Sequence, residues 1–204
     1  MADARSIANT IIAQLEKSLA VKGEATLVVC GGSSPLGVFE ALAATPLDWA
    51  NITITLVDDR QVLADHNDSN QALLRKHLLV GHSAAATFLP LTNEVAKLNR
   101  PFDVMLLGMG PDGHFASLFP AMIGDMCAFS PDAAPDIIET GPIGNPEWPR
   151  ISMNMAMLLE SHLVILIVNG AEKQAVLQQA KTDDSLPIHW LLQQSKRIVE
   201  VETL

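Results

Sequence analysis

The sequence predicts a single α/β domain, residues 1–204, in which a mainly parallel sheet is flanked by helices. Three observations carry that expectation. Short apolar runs alternate with helical stretches along the chain, the order that builds parallel sheets. The apolar surplus is Ala, Leu, Ile, Val and Met, as a sheet buried on both faces requires. Polar clusters follow three of the apolar runs, at 31–34, 58–60 and 108–114, and such sheets bind ligands beyond the carboxyl ends of their strands.

Ile7, Ile11, Ile12, Leu15 and Leu19 lie on one helical stripe, which predicts a helix over 3–22. Residues 25–30 are a short apolar run ending in Gly31-Gly32, hence a buried strand entering a turn. A helix over 36–44 follows, with Ser34 as N-cap and Pro35 at its first position. Residues 52–57 alternate β-branched side chains and read as a strand, with Asp58-Asp59-Arg60 at its carboxyl end. Residues 70–79 are helical, and 102–107 form a third buried strand that runs into Gly108-Met109-Gly110-Pro111-Asp112-Gly113-His114. The Pro- and Gly-rich stretch 120–149 is expected to be mostly irregular, with one or two short strands at most. Beyond it, 163–168 reads as a strand, 172–180 and 188–194 as helices, and 197–201 as a terminal strand. Met153, Met155 and Met157, spaced by two, read as core or strand-facing.

Composition narrows the function classes. A net charge of −10, from 13 basic and 23 acidic residues, argues against nucleic acid as a partner, because phosphate contacts need clustered Lys and Arg. A small anionic ligand fits if a few cations focus potential in one cleft. Mean hydropathy is +0.24, yet the longest strongly apolar run, 163–168, is far short of the roughly 20 residues of a membrane span. Asp3, Arg5, Glu16 and Lys17 interrupt any signal-peptide core. The two cysteines, Cys30 and Cys127, fit a reducing compartment and lack metal-ligand spacing, so a cytoplasmic protein without a metal site is expected.

Gly31-Gly32-Ser33-Ser34-Pro35 is a glycine turn entering a helix, where unpaired N–H groups and the helix dipole suit a phosphate. The same residues also suit an ordinary capped turn. Gly108 to Gly113 formally matches G-x-G-x-x-G after a strand, but Pro111-Asp112 occupy the turn and Leu118-Phe119-Pro120 end any helix early, so a dinucleotide site is rejected. What remains is a turn that presents Asp112 and His114 at a strand end. Such a histidine is either structural or a base. Asp58-Asp59-Arg60 is either a solvated acidic turn or a carboxylate that positions a base beside a guanidinium for an anion or an oxyanion. His66, His77, His82, His162 and His189 are read as structural.

Taken together, Gly31-Gly32-Ser33-Ser34-Pro35, Asp58-Asp59-Arg60, Ser69-Asn70, the run from Leu107-Gly108-Met109-Gly110 through Asp112-Gly113-His114 to Ser117-Leu118-Phe119-Pro120, Pro149-Arg150-Ile151-Ser152, and Gly170 with Lys173 resemble the 6-phosphogluconolactonase family in order and spacing, over roughly residues 5–200. The resemblance implies a three-layer Rossmann-like domain and hydrolysis of 6-phospho-D-glucono-1,5-lactone without metal or cofactor. It implies that Gly31, Gly32, Ser33, Ser34, Arg150 and Lys173 hold the substrate phosphate. His114 is then the general base, Asp58 or Asp112 orients its ring, and Arg60 stabilises the carbonyl oxygen or binds the sugar. The chain departs from the family pattern in having Ser34 for threonine and Asp59 for glutamate, and in being about a helix shorter between Leu91 and Phe102.

Two other readings compete. Glucosamine-6-phosphate deaminases share the fold and the Asp-Gly-His turn, but they carry a supporting glutamate where Phe119 stands here and an aromatic residue where Arg60 stands. A catalytically silent sugar-phosphate sensor is disfavoured because Asp58, Arg60, Asp112 and His114 are all present. A monomer or small homo-oligomer is expected.

Overall fold

The computed structural model describes residues 3–204. The Asp3 carboxylate accepts from the Ser6 N–H at 2.6 Å and caps α1 (Ala4–Lys22), which Gly23 closes at φ 77°. Strands follow as β1 (Ala25–Val29), β2 (Ile52–Leu56), β3 (Asp58–Arg60), β4 (Thr87–Phe88), β5 (Phe102–Gly108), β6 (Ile137–Ile143), β7 (Trp148–Met153), β8 (Ser161–Val168) and β9 (Val199–Thr203). The remaining α-helices are α2 (Leu36–Ala43), α3 (Asn70–His77), α4 (Met126–Phe129), α5 (Met155–Leu159), α6 (Ala171–Gln179) and α7 (Pro187–Gln193).

Six strands pair in parallel in the order β4-β2-β1-β5-β8-β9, which bears out the expected mainly parallel sheet. Its central strands are buried on both faces: Leu27 to Val29, Val104 to Leu107 and Val164 to Val168 have essentially no exposed surface. Each such side chain contributes roughly 1.5–3 kcal/mol of burial, which holds the strand ends in place. At the opposite, amino ends, the buried Asp103 ties α1 to the sheet. It accepts from Ser18 Oγ (2.7 Å), Lys22 Nζ (2.7 Å) and the Thr26 N–H (2.8 Å). No helix among the described residues is long and apolar enough to cross a membrane.

The structure corrects several local expectations. Ser34 does not cap α2: Pro35 occupies the N-cap position without a side-chain bond, and Ser34 Oγ instead accepts weakly from Lys173 Nζ at 3.5 Å. Asp58 to Arg60 are not the tail of a strand but a strand of their own. β3 pairs with β7 and β7 with β6 in a second, antiparallel sheet. The one or two strands expected in the Pro- and Gly-rich stretch are present as β6 and the start of β7, with a register shift between Thr140 and Ile143. Met155 to Leu159 form the short buried helix α5, capped by Asn154. The last strand begins at Val199 rather than 197, because Gln194 donates to Arg197 O and accepts from the Arg197 N–H, holding 194–197 in a turn.

Candidate active site

From β1 the chain moves outward through β2 to β4, and from β5 it moves the other way through β8 to β9. The crevice where those directions part lies at the carboxyl ends of β1 and β5, where open parallel sheets bind ligands. A cleft of about 230 Å³ opens there, and nine of the ten residues expected to hold phosphate or do chemistry lie in its wall; the tenth, Asp112, stands behind His114. A larger depression of about 810 Å³ lies at the amino ends of β5, β8 and β9. Its Arg100 and Lys196 are paired with Glu160 (2.5 Å) and Asp132 (2.8 Å), and its Arg197 donates to Leu159 O at 3.4 Å.

One side of the cleft is cationic. Arg150 is 3 % exposed, yet no carboxylate lies within ion-pair distance of it among the described residues. Its Nε donates to Ile143 O (3.0 Å) and its Nη2 to Pro146 O (3.2 Å), both neutral acceptors. Directly across the β3–β7 ladder stands Arg60, which donates from Nη1 to Asn70 Oδ1 (2.6 Å) and Asp68 O (3.1 Å) while its buried Nε has no partner. Burial, then the neighbouring Arg60, pushes the Arg150 pKa down, and Asp58 and Asp59 oppose that shift. Like charges directly opposite destabilise a sheet. Facing them, the N–H groups of Gly31, Gly32, Ser33 and Ser34 donate to no group of the described chain, and Lys173 reaches Ser34. Gly31 must lack a side chain, since a Cβ there would meet Asn70 Oδ1 at 1.9 Å. The arrangement brings free N–H donors and cations to one place, a chemistry suited to an anion.

The other side carries His114. After β5 the chain turns at Gly110 and Gly113, the latter at φ +78°, so that Asp112 Oδ1 meets both the N–H (3.2 Å) and Nδ1 (2.5 Å) of His114. The imidazole fills the space that a Cβ at position 110 would occupy, 2.1 Å from Cε1. Burial raises the Asp112 pKa, but the hydrogen bond and charge of His114 outweigh it and hold the carboxyl below its ordinary value. An ionised carboxylate only accepts, so in the neutral imidazole the proton sits on Nδ1 and the lone pair on Nε2. The one non-glycine residue at positive φ among the described residues, Ala116 at +47°, lies in the cleft wall two residues on.

Of the two carboxylates expected to orient His114, only Asp112 touches it. Asp58 is held elsewhere: Ser117 Oγ donates to it at 2.6 Å, while the Ser117 N–H donates to Ser152 Oγ at 3.1 Å. Asp59 faces away from the cleft and accepts from the N–H groups of Asn70 (2.7 Å), Arg60 (2.8 Å) and Gln71 (3.1 Å). Burial raises its pKa against those bonds. Cys30 lines the floor as an inert thiol, pushed up to about 12 by burial and then by Asp58. Residue-by-residue reading of the sequence gave no role to Asn70, Ser117 or Ser152, although all three sit inside the motifs that carry the resemblance. Their partners lie 10 to 59 residues away, beyond any local signal.

Comparison with known proteins finds relatives over most of the chain. The family described as glucosamine-6-phosphate isomerases/6-phosphogluconolactonase matches residues 2–200. A 6-phosphogluconolactonase from Pseudomonas aeruginosa is 38 % identical over 193 residues, covering 87 % of this chain and 80 % of the relative. One from Caulobacter vibrioides is 36 % identical over 210 residues, covering 95 % and 89 %. The crystal structure of a 6-phosphogluconolactonase from Shewanella baltica superposes with a TM-score of 0.88 at 33 % identity, covering 98 % of this chain and 92 % of that one.

Proposed function

Given that the chain belongs to the glucosamine-6-phosphate isomerase/6-phosphogluconolactonase family, we propose that it hydrolyses 6-phospho-D-glucono-1,5-lactone to 6-phospho-D-gluconate, in the oxidative branch of the pentose phosphate pathway. The observation that carries the reading is one cleft that holds both a proton-accepting Nε2 and a buried arginine, Arg150, with no carboxylate partner among the described residues, beside Arg60. The substrate phosphate enters the cradle of Gly31, Gly32, Ser33 and Ser34 and is held by Arg150 and Lys173. Its two negative charges relieve the Arg60–Arg150 repulsion.

His114 Nε2 takes a proton from water as the oxygen attacks the lactone carbonyl. The resulting imidazolium is stabilised by Asp112. Charge that develops on the carbonyl oxygen falls to Arg60. Collapse of the tetrahedral intermediate breaks the bond to the ring oxygen, which takes the proton back from His114. Asp58, fixed by Ser117, is left to bind sugar hydroxyls. We place the protein in the cytoplasm, as a monomer or small homo-oligomer.

The deaminase reading wants a carboxylate beside the histidine, and Phe119 occupies that place. The test is a pair of assays on one preparation: lactone hydrolysis with the spontaneous rate subtracted, and ammonia release from glucosamine 6-phosphate. Lactone opening well above background with no ammonia is expected. Ammonia release faster than lactone opening would overturn the reading, and turnover of neither substrate would leave a sugar-phosphate sensor.

A further inference from the structure

Phe119 is a buried side chain in contact with both halves of the site that the chemistry above does not use. Its ring stacks on the His114 imidazole, with centroids 4.3 Å apart and planes at 27°. The guanidinium carbon of Arg150 lies 5.1 Å from the centroid of the same ring. Gly144, at φ +84°, closes the assembly: a Cβ there would stand 2.8 Å from Phe119 Cζ and 2.6 Å from Arg150 Nη2. One phenyl ring thus contacts the base and the cation assigned to the phosphate.

Asp112 grips the imidazole at a single atom, and one hydrogen bond leaves a ring free to swing about it. A flat partner removes that freedom, since offset stacking is favoured over tilted contact with an aliphatic chain. The negative face of a phenyl ring also favours the imidazolium formed as His114 takes its proton.

We propose that Phe119 is a positioning residue: it fixes the plane of the His114 imidazole, so that Nε2 faces the lactone carbonyl, and references that plane to Arg150. The inference rests on His114 as the base. Misplacing a catalytic group by about 1 Å costs on the order of a hundredfold. Phe119→Leu, which keeps apolar bulk and loses the flat face, is therefore expected to lower kcat about 10- to 100-fold while KM changes less than about fivefold.

The experiment measures kcat and KM for wild type, Phe119→Leu and His114→Ala, with thermal unfolding of each. It also records the NMR resonances of the His114 ring protons in wild type and Phe119→Leu. Upfield ring-current shifts are expected in wild type and should relax in the leucine variant, whose unfolding midpoint stays close to wild type. If the leucine variant does not fold, Phe119→Met takes its place with the same readouts. A kcat within twofold of wild type, or wild-type His114 protons free of ring-current shift, overturns the inference. In those cases a dead His114→Ala leaves His114 standing as the base, whereas a fully active His114→Ala removes His114 from the mechanism and leaves lactone hydrolysis in place.

Discussion

Which nitrogen of His114 is free depends on Asp112, and an amide in its place changes the answer. In Asp112→Asn the Nδ2 group can donate to Nδ1, which shifts the imidazole proton to Nε2 and leaves no lone pair to meet water. Turnover is expected to fall about 10²- to 10⁴-fold with the fold intact, measured as kcat beside circular dichroism; undiminished turnover would separate Asp112 from the mechanism. Linkage gives the two perturbed carboxylates opposite signs. Asp112, with a depressed folded pKa, contributes stability above its unfolded value that is lost as pH falls through the folded one. Asp59, with a raised pKa, contributes below its unfolded value and loses that contribution as pH rises through the folded one. At this scale the sequence was legible where partners are close along the chain. Asp112 and His114 are two residues apart in a glycine turn, and both could be named. Phe119 was legible only as the absence of a carboxylate. Its contact with Arg150 spans 31 positions and depends on a hairpin closing at Gly144.

Helices and strands hold these groups still, and the tightest polar anchor between them is remote from the cleft. Asp103 takes four hydrogen bonds from α1 and β1, two from Lys22 and one each from Ser18 and the β1 backbone. Lys22 is 41 % exposed, so its share of the pair is screened and the neutral donors matter more. Asp103→Ala is expected to cost about 2–4 kcal/mol, read as a lower urea midpoint at unchanged slope. KM should be unaffected, because the active site lies at the other ends of the strands. A loss under 0.5 kcal/mol would mean that α1 is held by its apolar stripe alone. The long apolar strands and the stripe of α1 were readable because burial on both faces, or on one helical face, leaves a periodic mark. The small sheet was not. In β6 the exposed positions include Gly141 and Pro142, and β7 contains Pro149, so turn-forming residues sit within the strands themselves. All five residues of α5 are buried, which erases the helical period.

Across the whole molecule, an acidic chain concentrates Arg60, Arg150 and Lys173 at one seam between its two sheets. Inorganic phosphate or sulfate at millimolar concentration should compete with substrate and stabilise the fold. At ten times the Kd a ligand adds about 1.4 kcal/mol, a rise of a few degrees in Tm for a chain of this size. Arg150→Ala should lose both effects, and a wild-type protein indifferent to the anions would remove phosphate from this cleft. Val57 joins the sheets: its N–H donates to Val29 O in the large one, and its carbonyl accepts from the Met153 N–H in the small one. An anion held between the 31–34 turn and Arg150 adds a second, detachable rivet between the same two plates. The filled protein is then a stiffer body than the empty one, and the stiffening is lopsided. Amide hydrogen exchange over 137–153 should slow when phosphate binds, while the interior strands β5 and β8, already locked, keep their pace.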